Sequence, residues 1–224
     1  MRIILNYLLP LAITSSLLIG CGGHSHNEEH NHEQNGHDQG HKGKDANDGC
    51  QLKFNSELVK MTWTAFKTTE KVGVGGTFDE VIINGTREAT TAQEVFADAN
   101  FEISVGTINS ANPDRDKKIS VHFFGSMIST LTLKGSVEEI ADNYAVVSIT
   151  MNGVSMKQKF NLKTENETQC TIVADLDLNN WNVQEELNAL NEVCYDLHKG
   201  ADGKSKLWPE VHVELTAELD KHCP

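Results

Sequence analysis

The chain has 224 residues, a net charge of −13 and hydrophobic residues at 38% of its positions. That length accommodates one domain of ordinary size and a flanking segment. With this acidic balance, nucleic acid or an anionic bilayer surface would repel the chain unless charge were strongly segregated, and no nucleic-acid partner is expected. The tightest basic clusters, Arg115-Asp116-Lys117-Lys118 and Lys157-Gln158-Lys159, are too short for a polyanion site.

The start reads Met1-Arg2, an apolar stretch over 3–19, then Leu18-Ile19-Gly20-Cys21. A basic start, an apolar run and a small residue before a cut site are the parts of a secretory signal. A cysteine directly after Leu-Ile-Gly resembles the bacterial lipobox, in which that thiol is lipidated and becomes the first mature residue. The expectation is a signal peptide over 1–20, a lipid anchor on Cys21 and folding in an oxidising envelope compartment. Gly22 in place of Asp favours the outer membrane, facing the periplasm. An ordinary signal peptide and a retained single span are the alternatives. Against a span, the run falls short of about 20 residues and contains Asn6, Pro10, Thr14, Ser15 and Ser16.

Residues 22–49 contain no Val, Ile, Leu, Met or aromatic side chain. Such a segment buries no apolar surface to offset the entropy of ordering, and a disordered tether is expected. Its 28 residues would span roughly 30 Å on average. His24, His26, His30, His32, His37 and His41 fall here, interleaved with Glu28, Glu29, Glu33 and Asp38. Imidazole and carboxylate suit zinc, copper or nickel. The segment therefore reads either as a weak, adaptable metal site or as a polar spacer.

From Cys50 onward, short runs alternate with period two. Phe101–Val105, Val147–Met151, Met156–Leu162, Cys170–Leu176 and Val211–Ala217 each place apolar residues on one face, as half-buried antiparallel strands require. Strands are expected at 52–66, 76–83, 100–106, 126–134, 144–151, 154–163, 169–178 and 210–219. Asn152-Gly153 supplies the positive φ angles of a type I′ hairpin. Eight strands with short links predict a closed barrel or a sandwich. One helix is expected over 183–199, opened by an Asn182/Glu185 capping box. Val183, Leu187, Leu190, Cys194 and Leu197 give it one apolar stripe, and Gly200 follows it.

With Cys21 lipidated, four of the five cysteines remain. Cys50 and Cys223 flank the first and last strands, so a Cys50–Cys223 disulfide would close the domain. Cys170 and Cys194 each lie on an apolar face and could meet across a helix–sheet contact, so a second disulfide, Cys170–Cys194, is expected, with two buried thiols as the alternative. No acyl-transfer, metalloprotease, phosphate-loop or dinucleotide motif is present. His122, His198, His212 and His222 are scattered and read as surface residues, so an enzyme is not expected.

Several elements resemble the YceI-like family in order. Trp63-Thr64-Ala65-Phe66-Lys67 followed by Val74-Gly75-Gly76-Thr77-Phe78 looks like its first hairpin. Phe101-Glu102-Ile103, Ile108-Asn109-Ser110 and Asn112-Pro113-Asp114-Arg115-Asp116 look like its strand leading to an Arg-Asp pair. His122-Phe123-Phe124 matches the aromatic element after that pair. The resemblance covers residues 52–220. Thr68-Thr69 departs from the family's usual His-Thr/Ser, and the 183–199 helix with its cysteines looks like a lipoprotein-subgroup feature.

The resemblance implies an all-β, antiparallel, roughly eight-stranded lipocalin-like barrel over 50–224 with one inserted helix. It also implies a long isoprenoid or quinone-type lipid in the lumen, with no cofactor required. Trp63, Phe78, Phe101, Ile103, Phe123, Phe124, Ile149 and Phe160 are the candidate cavity wall; simple core filling is the competing role. Arg115 and Asp116 would form an ion pair pinning their loop, or Arg115 would meet a polar head group. A small apolar lipid and the membrane are the expected partners, with zinc binding on the tether as the alternative function. A homodimer is left open.

Overall fold

A computed structural model describes residues 49–224. The signal segment, Cys21 and the six tether histidines lie outside the described residues. In chain order the strands are β1 Gln51–Lys67, β2 Val72–Phe78, β3 Val81–Asn84, β4 Asn100–Ser104, β5 Ile108–Asn109, β6 Thr132–Ile140, β7 Tyr144–Met151, β8 Val154–Glu165, β9 Gln169–Asp177 and β10 Leu207–His222. The helices are α1 Ala92–Phe96, α2 Pro113–His122 and α3 Gln184–Val193.

All strand pairs are antiparallel, in the order β3-β4-β6-β7-β8-β9-β10-β1-β2-β5. β2 thus lies near one edge of the sheet and β3 forms the other, yet only Asp79 and Glu80 separate them. Three Cα steps reach about 11 Å at most, so the two edges must meet and the sheet curls into a barrel. Leu52 and Ala89 exchange two backbone hydrogen bonds across this seam, at 2.7 and 3.1 Å. Asn109 Nδ2 donates to both carboxylate oxygens of Asp79, at 3.1 and 3.0 Å.

Period-two alternation decides which face turns inward. On β7, Ala145, Val147, Ile149 and Met151 are buried. β8 buries Phe160 and Leu162, and β10 buries Val213, Ala217 and Leu219. Burying each large apolar side chain contributes roughly 1.5–3 kcal/mol. Asn152 and Gly153 have φ of 51° and 70°, the left-handed pair that a two-residue hairpin needs.

Helices close both ends. β1 pairs Gln51 with His222 at one end and Lys67 with Leu207 at the other. At the Gln51 end, Ala92 and Val95 of α1 pack on Leu52, Ala89, Cys170 and Leu219, forming a floor. At the Lys67 end, α2 packs against α3, which leads back into β10, and together they form a roof. Asn152 locks the roof to the barrel. Its Oδ1 accepts from Ile128 N at 2.9 Å, and its Nδ2 donates to the Trp181 and Asn182 carbonyls at 3.2 Å each.

Several expectations need correction. The predicted 76–83 strand breaks at Asp79-Glu80, where the chain crosses from one sheet edge to the other. The 126–134 strand begins only at Thr132; Phe124–Ser126 is a 3-10 turn and Ser129 has φ 50°. Asn182 is not a helix N-cap. It ends the 3-10 turn Leu178–Trp181 in the left-handed conformation, and Val183 precedes α3 without a side-chain cap. α3 stops at Val193, and Tyr195–His198 continues as a 3-10 turn.

Cys50 and Cys223 are bonded as expected. Cys170 and Cys194 are not: both are buried free thiols. Cys170 sits at the floor and Cys194 in the roof, because β9 pairs Cys170 with Ala217 and Asp177 with Glu210. Seven residue steps of strand from Cys170 to Asp177 place the two ends roughly 23 Å apart, far beyond the ~7 Å Cα separation that a disulfide spans.

Candidate functional site

The inward faces of the strands enclose one apolar cavity of about 230 Å³. It extends from Phe96, Ala99 and Cys170 at the floor to Ile119, Leu187, Leu190 and Trp208 at the roof. All eight residues assigned to the wall from sequence touch it: Trp63, Phe78, Phe101, Ile103, Phe123, Phe124, Ile149 and Phe160. Seven of them are buried, and Phe101 is half-buried.

Each arrives there by a local rule. Trp63, Ile103, Ile149 and Phe160 occupy inward strand positions. Phe123 and Phe124 enter from the end of α2, with ring centroids 4.9 Å apart, and Phe124 meets Phe78 edge-on at 6.3 Å. Such edge-to-face pairs contribute about 0.5–1.5 kcal/mol beyond area burial. Sequence reasoning omitted further wall residues, among them Met61, Leu133, Ala145, Val147, Leu176 and Val213; the alternation of β7, β9 and β10 carried the signal for four of these six.

The Trp63 and Trp181 indole N–H groups near the wall are tied off, whereas Glu186 Oε2, buried on α3 beside the lining residue Leu187, has no hydrogen-bond partner among the described residues. Trp63 Nε1 donates to the Thr77 carbonyl at 3.2 Å, and Trp181 Nε1 to the Ile149 carbonyl at 3.0 Å. Among the residues touching the cavity, only Asn100 and Glu214 carry amide or charged side chains. Among the described residues no group of His, Cys, Asp and Glu side chains is placed to hold a metal. The site offers dispersion and water exclusion, with no array of groups for acid–base or nucleophilic chemistry.

Two polar expectations change. Asp116 makes no ion pair with Arg115; it accepts from the Ser110 backbone N–H at 2.9 Å and from the Ser110 hydroxyl. Asn112 caps α2 by accepting from Arg115 N at 3.0 Å, with Pro113 at the first turn. His198 is not a surface histidine. It is buried in the roof, with Nδ1 bonded to the Asn191 side-chain oxygen at 2.8 Å. Burial, aided by the charges of Lys67 and Lys118, brings its pKa down to about 4. Burial likewise pushes the Cys170 thiol up.

No family model matches the sequence, and no curated protein matches it. Solved structures do superimpose. A polyisoprenoid binding domain from Saccharophagus degradans is 11% identical over 78% of this chain and 98% of that chain, with a TM-score of 0.51. Burkholderia cenocepacia BcnA is 12% identical over 75% and 99%, with a TM-score of 0.53. A Campylobacter jejuni YceI protein is 11% identical over 68% and 87%; its TM-score of 0.43 is too loose to inform the site. At these identities the likeness establishes the fold alone, a curled antiparallel barrel shared with the Saccharophagus domain and with BcnA.

Proposed function

We propose that this chain is a non-enzymatic envelope lipoprotein that holds a long apolar lipid, of isoprenoid or quinone type, along the barrel axis. The observation that carries the reading is the apolar cavity continuous from floor to roof. At about 230 Å³ it is smaller than the roughly 300–1,000 Å³ of most small-ligand sites. A slender chain lying lengthwise suits that shape, and a compact polar metabolite would leave its own polar groups unpaired. Each methylene buried would contribute about 0.8 kcal/mol, less the costs of ordering. The Saccharophagus neighbour, described as a polyisoprenoid binding domain, supports the same ligand class. Lipidation of Cys21 would keep the barrel near the bilayer that holds such lipids.

Trp63 on the wall gives a test. Titrating the full chain with a long-chain quinone should quench Trp63 saturably. Ala145→Phe, which fills the lumen without adding charge, and Phe124→Asp should both abolish that saturation. Unchanged quenching in both, with near-UV circular dichroism intact, would reject the lumen as the site.

The six histidines at 24–41 favour a second role, zinc binding or buffering by the tether. Zinc titration of the full chain against a chain lacking residues 22–49 tests it; equal affinity would reject the tether as the site.

A further inference from the structure

The apolar cavity ends abruptly at the floor. Beneath it Leu52, Ala89, Ala92, Val95 and Leu219 form a buried cluster, Val95 with no exposed surface. None of these five touches the cavity, whose lining stops one layer above, at Phe96, Ala99 and Cys170. Phe54 backs the Phe96 ring edge-on, with centroids 5.6 Å apart. Backbone bonds fix that layer: Ala99 N donates to the Phe96 carbonyl at 3.1 Å, and the Ala99 carbonyl accepts from Val137 N at 2.9 Å. The Thr91/Glu94 capping box holds the start of α1. Side chains packed this closely do not part for a chain tip without strain elsewhere. Among the described residues Asn100 is the one exposed residue that touches the cavity, and its side-chain amide donates to the Asp98 carbonyl at 3.1 Å.

The two ends differ in chemistry. At the roof, Glu186 Oε2 is buried without a partner among the described residues, and the His198 ring is buried against Asn191. At the floor the lining is Phe96, Ala99 and the Cys170 thiol. A polar head costs less near groups that can accept its hydrogen bonds, which favours a hydroxyl-headed chain with its head at the roof and its apolar tip at the floor. The length available follows from β10, which lines the cavity from Leu207 at the roof to Ala217 at the floor. Those ten residue steps cover about 33 Å of strand, or about 25 Å along the axis at a barrel tilt of about 40°. An isoprene unit places four carbons in the chain, each advancing roughly 1.25 Å from a bond of about 1.5 Å, so one unit covers about 5 Å.

We propose that Phe96, Ala99 and Cys170 act as a length stop, and that the barrel selects apolar chains of about five isoprene units. This deepens the lipid-carrier reading above and rests on it. Each unit added below that length buries more apolar surface and should tighten binding by at least about tenfold. A unit added beyond it has no wall left to cover and gains nothing. Phe96 and Ala99 are therefore specificity-determining residues, whereas wall residues away from the floor, such as Leu133, contribute to affinity at every length.

The test incubates the full chain, stripped of bound lipid, with an equimolar mixture of all-trans polyprenols of two to eight isoprene units. Native mass spectrometry then reads the chain length of each adduct from its mass. Adduct abundance should rise steeply to about five units and stop rising there. Phe96→Ala should move that break about one unit longer and Ala99→Leu about one unit shorter, while Leu133→Ala lowers all adducts and leaves the break in place. Ala99→Leu adds bulk at a buried site; should it fail to fold, the Phe96→Ala shift decides alone. Abundance that keeps rising to the longest chain, with the tail leaving the barrel beside Asn100, would overturn the length stop and leave lipid carriage intact. So would a break that neither floor variant moves. No adduct at any length would reject lipid carriage itself, and the stop with it.

Discussion

Phe101 on β4 faces Gly135 on β6 in register, and its ring occupies the space a side chain there would need. A Cβ at Gly135 would lie 2.2 Å from the Phe101 ring and 2.6 Å from the Ser148 carbonyl oxygen. Trp63 and Gly76 repeat the arrangement: a Cβ at Gly76 would fall 2.6 Å from Trp63 Cζ2 and from the Asn109 carbonyl oxygen. Two aromatic rings thus lie over glycine backbone and seat against the barrel wall. Gly135→Ala should cost about 1–3 kcal/mol by overpacking, read as a lower denaturant midpoint at unchanged slope. A wild-type midpoint would mean the ring moves aside freely.

The Asn152 side chain carries the join between hairpin and roof. Asn152→Gly keeps the left-handed backbone and loses three hydrogen bonds to Ile128, Trp181 and Asn182. At about 1 kcal/mol net each, the expected loss is ~2–3 kcal/mol. Hydrogen exchange should rise first in α3 and the Leu178–Trp181 turn; uniform loosening would contradict a local clamp.

His198 makes the roof sensitive to acid. Its folded pKa of about 4 lies below the unfolded value near 6.5. Between these values the unfolded chain binds the extra proton, so stability rises with pH there. The contribution is complete above about pH 6.5 and is lost as pH falls towards 4, amounting to at most ~3 kcal/mol. His198→Gln should flatten this part of the stability profile between pH 6.5 and 4. Parallel profiles for the two proteins would place the acid sensitivity elsewhere.

The Cys50–Cys223 disulfide closes a loop spanning a sequence separation of 173. Chain-entropy reasoning gives such a bond about 5 kcal/mol. Cys50→Ser with Cys223→Ser should lower stability by that order. Alkylation of the unreduced chain should modify Cys170 and Cys194 only after denaturation. Failure to alkylate them in denaturant would reveal a disulfide between them.

The barrel strands were legible because one buried face leaves a clean alternation, as at Val147 and Ile149, and because Asn152-Gly153 is a strong turn signal. The β2–β3 break was hidden: Asp79-Glu80 has no glycine or proline, and apolar residues resume at Val81. α1 and α2 carried their caps openly, with Thr91/Glu94 as a capping box and Asn112-Pro113. Neither has a long apolar stripe, so periodicity missed both. Asn182 shows the limit of cap spacing, since the same residue type that caps a helix also favours left-handed backbone. The Cys170–Cys194 pairing failed for a further reason: alternation tells which face a residue is on and not which end of the barrel it occupies.

If the lumen is a carrier site, it holds one long apolar chain. Native mass spectrometry of the full chain, purified from a lipid-replete bacterial host, tests it most directly. A single non-covalent adduct of lipid mass should be retained in wild type and absent from Ala145→Phe. A bare protein mass in wild type, or the same adduct in the filled-lumen variant, would contradict it.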